Sequence, residues 1–87
     1  MKNVFINAIN FYENYEFYDE LFDINDVFNK IDKTPSDLFS LDEFTNNELY
    51  ALIKILDYYI LKNIENELKL EKKLLINLKI IYDKSNF

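Results

Sequence analysis

The sequence predicts an all-α fold, a small helical bundle, and three observations carry that expectation. Glycine is absent and proline occurs once, so tight turns that need positive φ have only Asn or Asp to use. Apolar residues recur at steps of three and four over long stretches, the spacing of one helix face. Finally, Ser40…Glu43 and Thr45…Glu48 both match the capping box, a Ser or Thr followed three residues later by Glu.

The first element is read from Val4, Ala8, Phe11, Tyr15, Tyr18 and Phe22, which form one continuous stripe. They predict an aromatic, amphipathic helix over residues 3–22. A β-hairpin turning at Glu13-Asn14 fits the residue types, since Phe, Tyr, Ile and Val suit strands. It fails on alternation, because Phe5-Ile6, Phe11-Tyr12 and Phe17-Tyr18 are adjacent pairs. Asp23 then caps a short helix through Val27, Phe28 and Ile31. In the tetrapeptide TPSD, Thr34 is a suitable N-cap and Pro35 fits the first helical position. Asp37 favours the positive end of the helix dipole. About one helical turn is expected there.

Thr45…Glu48 introduces the clearest helix, with Leu49, Ile53, Leu56, Ile60 and Ile64 on one face and Leu52 and Tyr59 widening it. The stripe drifts near Asn63 and Asn66 and resumes as Leu70, Leu74, Leu78 and Ile81. Residues 46–84 therefore read either as two helices with a break around residues 66–71 or as one unbroken helix. The unbroken form would extend roughly 55 Å, too long for a compact domain of this size, and would point to a coiled-coil dimer.

Composition bounds the function. Eighty-seven residues make one small domain, residues 1–87, which buries a modest share of its surface. Apolar residues make up 49% of the chain, and eight Phe and seven Tyr are enough for an aromatic core rather than disorder. Without cysteine or histidine there is no disulfide framework and no thiolate or imidazole ligand, which leaves carboxylates as metal ligands. The Walker, dinucleotide-binding and HExxH motifs all need Gly or His. Pairs such as Asp42-Glu43 come with no nucleophile or metal motif, so no enzyme activity and no cofactor are expected. Met1-Lys2-Asn3 leads into a mixed apolar and polar run rather than a secretory signal. No window approaches the roughly 18 apolar residues of a membrane span. A soluble, cytoplasmic protein is expected.

Charge divides the chain. Residues 1–48 hold eleven Asp/Glu against three Lys, net −8; residues 49–87 hold five against seven, net +2; together they give the total of −6. Such asymmetry is a signature of an interaction surface. The run YENYEFYDELFDIND, residues 12–26, supplies the candidate site: Glu13, Glu16, Asp19, Glu20, Asp23 and Asp26. On a helix these fall inside an arc of about 140°. No lysine stands between Lys2 and Lys30, and like charges three or four residues apart disfavour a helix. A solvated helix face is the plain reading. A surface for a basic partner is the reading that explains the missing lysines.

Three further patterns compete with it. The stretch from Phe28 to Phe44 resembles a degenerate EF-hand calcium loop, with Asp32, Thr34, Ser36, Ser40 and Glu43 at ligand positions. It departs from that family at the sixth position, where Asp37 replaces the turn glycine, and no second loop follows. Lys62, Lys69, Lys72, Lys73, Lys79 and Lys84 suggest nucleic-acid contact. However, they alternate with Glu65, Glu67 and Glu71, the chain has no Arg, and its net charge opposes a polyanion. Tyr12, Phe17 and Tyr58 lie off the main stripes, where exposed aromatics would suit an interface.

The sequence therefore predicts a non-enzymatic, acidic interaction protein. The leading expectation is an inhibitor that presents carboxylates to a basic, nucleic-acid-binding protein where phosphates would otherwise lie. Direct binding of nucleic acid or membrane is not expected. In size and charge the chain resembles small acidic phage proteins that antagonise host defence, anti-CRISPR proteins among them. The alternatives are an antitoxin or immunity-type partner, or a helical oligomerisation module such as a homodimer.

Overall fold

The computed structural model describes residues 2–13 and 24–85. Among them the elements are helices α1 (Lys2–Glu13), α2 (Ile24–Lys33), α3 (Asn46–Lys62) and α4 (Lys69–Ser85), with single 3-10 turns at Ser36–Leu38 and Leu41–Glu43 between α2 and α3. No strand occurs among the described residues, and the all-α expectation holds. The part of the expected first helix beyond Glu13, with Tyr15, Tyr18 and Phe22, lies outside the described residues, as does the expected cap Asp23.

Helix α3 is the centre of the bundle and packs against α1, α2 and α4. Leu49, Ala51, Leu52, Ile55 and Leu56 are all buried, while Ile53, Tyr58, Tyr59 and Ile60 are partly buried against the same core. At 100° per residue these positions cover more than half of the helix circumference. The expected face was too narrow, because it omitted Ala51 and Ile55. It also ran too far, since Ile64 lies beyond the helix end and is 72% exposed.

The second correction concerns α1. Phe5, Ala8, Ile9 and Tyr12 are buried, whereas Val4 is only half-buried. The buried face is shifted toward Phe5, Ile9 and Tyr12: Ala8 keeps its expected place in the core, while Val4 and Phe11 move to its edge. Tyr12 is not an exposed aromatic. Its ring meets Tyr58 edge-on at 5.3 Å, and Phe11 meets Tyr59 edge-on at 5.3 Å, the geometry that aromatic quadrupoles favour. Phe17 lies outside the described residues.

α3 and α4 form an antiparallel hairpin in which Tyr50, early in α3, lies 6.3 Å from Tyr82, late in α4. Leu74, Leu75 and Leu78 of α4 are buried, Ile81 packs against the core, and Leu70 is 50% exposed. The unbroken forty-residue helix does not form. The break comes at Asn63, a few residues earlier than expected. Its side-chain amide donates to the Tyr59 carbonyl at 2.8 Å, and its backbone N–H is shared between Tyr59 and Ile60 carbonyls. A short amide that competes for the i−4 carbonyl is a recognised helix terminator. The radius of gyration is 12.3 Å, close to the roughly 12 Å expected of a compact chain of this length.

Leu52 is fully buried. Replacing it with Ala is expected to cost roughly 3 kcal/mol, a large share of the roughly 4–13 kcal/mol available to a domain of this size. Urea unfolding followed by circular dichroism measures the loss.

Candidate functional site

The node that fixes the acidic side of the bundle is built on Lys30, Thr45 and Glu48. Thr45 caps α3: its hydroxyl accepts from the Glu48 N–H at 3.2 Å, and the Glu48 carboxylate accepts from the Thr45 N–H at 2.8 Å. This is the reciprocal box that the spacing predicts. From α2, the Lys30 ammonium donates to the same Glu48 oxygen at 2.9 Å and to the Glu43 carbonyl at 2.6 Å. It also lies 4.7 Å from the centre of the Phe44 ring, a cation–π distance. One half-exposed lysine thus ties α2, the second 3-10 turn and the start of α3 together.

The node sets the ionisation of Glu48. Partial burial pushes its carboxyl upward, but hydrogen bonds from the Thr45 backbone, from Lys30 and from the Thr45 side chain outweigh that. With the charge of Lys30 added, the group is held below its ordinary value of 4.5. A carboxyl lowered by folding contributes stability that is present above its unfolded pKa and lost as pH falls through the folded one.

The neighbouring helix ends are closed by side chains. Thr34 does not cap the TPSD turn; its hydroxyl donates to the Lys30 carbonyl at 2.7 Å and terminates α2. Pro35 takes the capping position of that turn instead, with ψ of 145° and no side-chain cap bond. Lys2 reaches from α1 to the Asp32 carbonyl at 3.0 Å, a favourable place for a cation. Ser40…Glu43 does not form its expected box, although Ser40 still caps the second 3-10 turn. The Glu43 N–H is taken by the 3-10 bond to the Ser40 carbonyl, so the Ser40 hydroxyl accepts from Asp42 N–H at 3.3 Å.

These bonds also show how the EF-hand-like positions are used. Asp32 lies in the last turn of α2, and the Thr34 and Ser40 hydroxyls serve backbone groups. The cation on the Glu43 carbonyl is the chain's own Lys30. Among the described residues no three Asp or Glu are gathered in a metal-binding group. A cleft of about 380 Å³ lies beside the node, lined by Lys30, Thr34, Leu38, Phe39, Ser40, Glu43 and Phe44.

Of the six candidate carboxylates, Glu13 falls at the C-terminal residue of α1 and Asp26 is exposed in the first turn of α2. Glu16, Asp19, Glu20 and Asp23 lie outside the described residues. Sequence reasoning assigned the acids beyond residue 26 other parts, in the EF-hand-like loop, the TPSD turn and the Asp42-Glu43 pair, and left them out of the candidate site. Asp32, Asp37, Asp42 and Glu43 are all exposed, and among the described residues none of their carboxylates is in an ion pair. Their wide, uneven spacing hid them from a search for helical periodicity. No helix among the described residues is long and apolar enough to cross a membrane.

The geometry defines a class no narrower than a small all-helical bundle, with four helices among the described residues. No protein-family model, curated protein or solved structure matches the chain.

Replacing Glu48 with Gln removes the charge that Lys30 meets while keeping an acceptor for the cap. Stability at neutral pH is expected to fall by about 1–2 kcal/mol. The parent's loss of stability below pH 4.5 should be shallower in the variant. Urea titrations at several pH values measure both effects.

Proposed function

We propose that this protein acts by binding rather than by chemistry. In this reading it is an acidic inhibitor that occupies the basic, nucleic-acid-binding surface of another protein with its carboxylates. The observation that carries the reading is the charge of residues 12–26, six acids with no lysine. Neighbouring carboxylates on a helix stand roughly 5–6 Å apart, a spacing comparable to that of phosphates along a strand.

Two features of the fold support it. Lys30, one of the three lysines in the first 48 residues, is paired with Glu48, so its charge is taken up there rather than by the exposed acids. The exposed acids of α2 and the 3-10 turns extend the same sign of charge beyond residue 26. Clustered like charges destabilise a compact state through self-repulsion, and a basic partner relieves that repulsion. An anti-defence inhibitor of the phage type is the finer form of the proposal, on the likeness of size and charge.

Affinity capture from cell lysate at about 50 mM and about 500 mM salt tests the electrostatic part, since such an interface weakens steeply with ionic strength. The expected catch is a basic nucleic-acid-binding protein, held at low salt and competed off by its own nucleic acid. Reversing Glu16, Glu20 and Asp23 to Lys should release it. A partner that binds this triple variant unchanged sinks the proposal.

A further inference from the structure

The side of α4 that faces away from the bundle is not the polar surface that a helix of this size normally shows to water. Ile76 and Ile80 are 59% and 47% exposed. At 100° per residue they lie within about 30° of the direction opposite the buried Leu74, Leu75 and Leu78. They are one helical turn apart, so their side chains are neighbours. Lys69 lies in line with the pair, two turns before Ile76; Lys73 and Lys84 border it on one side and Lys72 and Lys79 on the other, and Asp83 is the acid on this face. All of these charged residues are exposed. Among the described residues Lys72, Lys73, Lys79 and Lys84 form no ion pair, and Lys69 meets only the exposed Glu67 at 3.1 Å.

We propose that this lysine-rimmed isoleucine face of α4 docks a second copy of the chain through that copy's acid-rich first half. Charge complementarity selects the occupant. The first 48 residues carry net −8, and the exposed acids among them that the structure describes do not meet the α4 lysines within one protomer. A second copy supplies each set of charges with the opposite one. Under two-fold symmetry the contact is made twice, α4 of each copy against the acidic half of the other. The pair of isoleucines gives the contact an apolar centre, and the lysines form its polar rim. Each copy carries a net charge of −6, so the attraction is local, between the α4 lysines and opposing acids at short range; a nucleic acid or an anionic membrane is an outcome of the test below. The inference draws on the same acid-rich half as the basic-partner reading, and the α4 variants below, which leave residues 12–26 intact, keep the failure of one distinguishable from the failure of the other.

Sedimentation velocity at high protein concentration tests it. A dimer is expected in about 25 mM NaCl and a monomer in about 500 mM, as screening removes the attraction. Reversing Lys69, Lys73 and Lys84 to Glu, with far-UV circular dichroism unchanged, should weaken self-association by about tenfold or more. Ile76→Ser with Ile80→Ser should weaken it at low salt without altering its salt slope. The proposal is overturned by a wild-type chain that stays monomeric at low salt, or by a dimer that persists at high salt and in the lysine variant. Pelleting of a monomeric wild-type chain with phosphatidylserine vesicles would overturn it in favour of a membrane surface, and its co-sedimentation with duplex DNA in favour of a nucleic acid.

Discussion

Helix ends in this chain must be closed without glycine. Most proteins stop a helix by letting one glycine adopt a left-handed conformation, which satisfies the last carbonyls at little steric cost. Here the described backbone contains no residue with positive φ, and polar side chains do that work instead. The Thr34 hydroxyl and the Lys2 ammonium close α2, the Asn63 amide closes α3, and Thr45 with Glu48 opens it. Each closure places a specific side chain at a specific corner, so the corners of the bundle are fixed by hydrogen bonds that composition alone makes necessary. The Lys30 node follows from the same constraint, because the carboxylate it meets is already held in place by the cap.

That constraint explains what could be read in advance. The helical class, the strong start of α3 and the existence of a break after it were legible, because caps and periodicity are local signals. The faces were less so. Val4 and Phe5 are both apolar, as are Ile53 and Ile55, and spacing does not say which of two adjacent stripes a neighbouring helix will cover. The choice is made by packing on α3, which buries Phe5, Ile9 and Tyr12 together. The part of Lys30 was hidden for a different reason: Glu48 is 18 residues away, and pairs at that range are set by tertiary structure. The charge of residues 12–26 was plain in the sequence, whereas the exposure of Asp32, Asp37, Asp42 and Glu43 is set by the end of α2 and the 3-10 turns.

Electrostatics and packing are thus divided between the two halves of the chain. The first half carries the acid excess and commits two of its three lysines to internal bonds. The second half holds the core hairpin and turns its lysines outward around two isoleucines. The exposed Lys69–Glu67 pair, with both side chains about four-fifths open to solvent, adds little to stability. Of the Lys69–Glu67 and Lys30–Glu48 pairs, it is Lys30–Glu48 that joins elements of the fold.

The position of α3 bears on the order in which the molecule assembles. Its contacts with α4 span one short connection, whereas its contacts with α1 bring together Phe11 and Tyr59, 48 residues apart in sequence. Closing the shorter loop loses less chain entropy, so the α3–α4 hairpin is the unit that can form early and α1 is the element that docks late. An element that docks late is a candidate to open before the hairpin, although Phe5, Ala8 and Ile9 are fully buried. Amide hydrogens of α1 should exchange sooner than those of Leu52–Leu56. The acid-rich half of the molecule is thus held to the α3–α4 hairpin through the buried face of α1 and the Lys30–Glu48 pair.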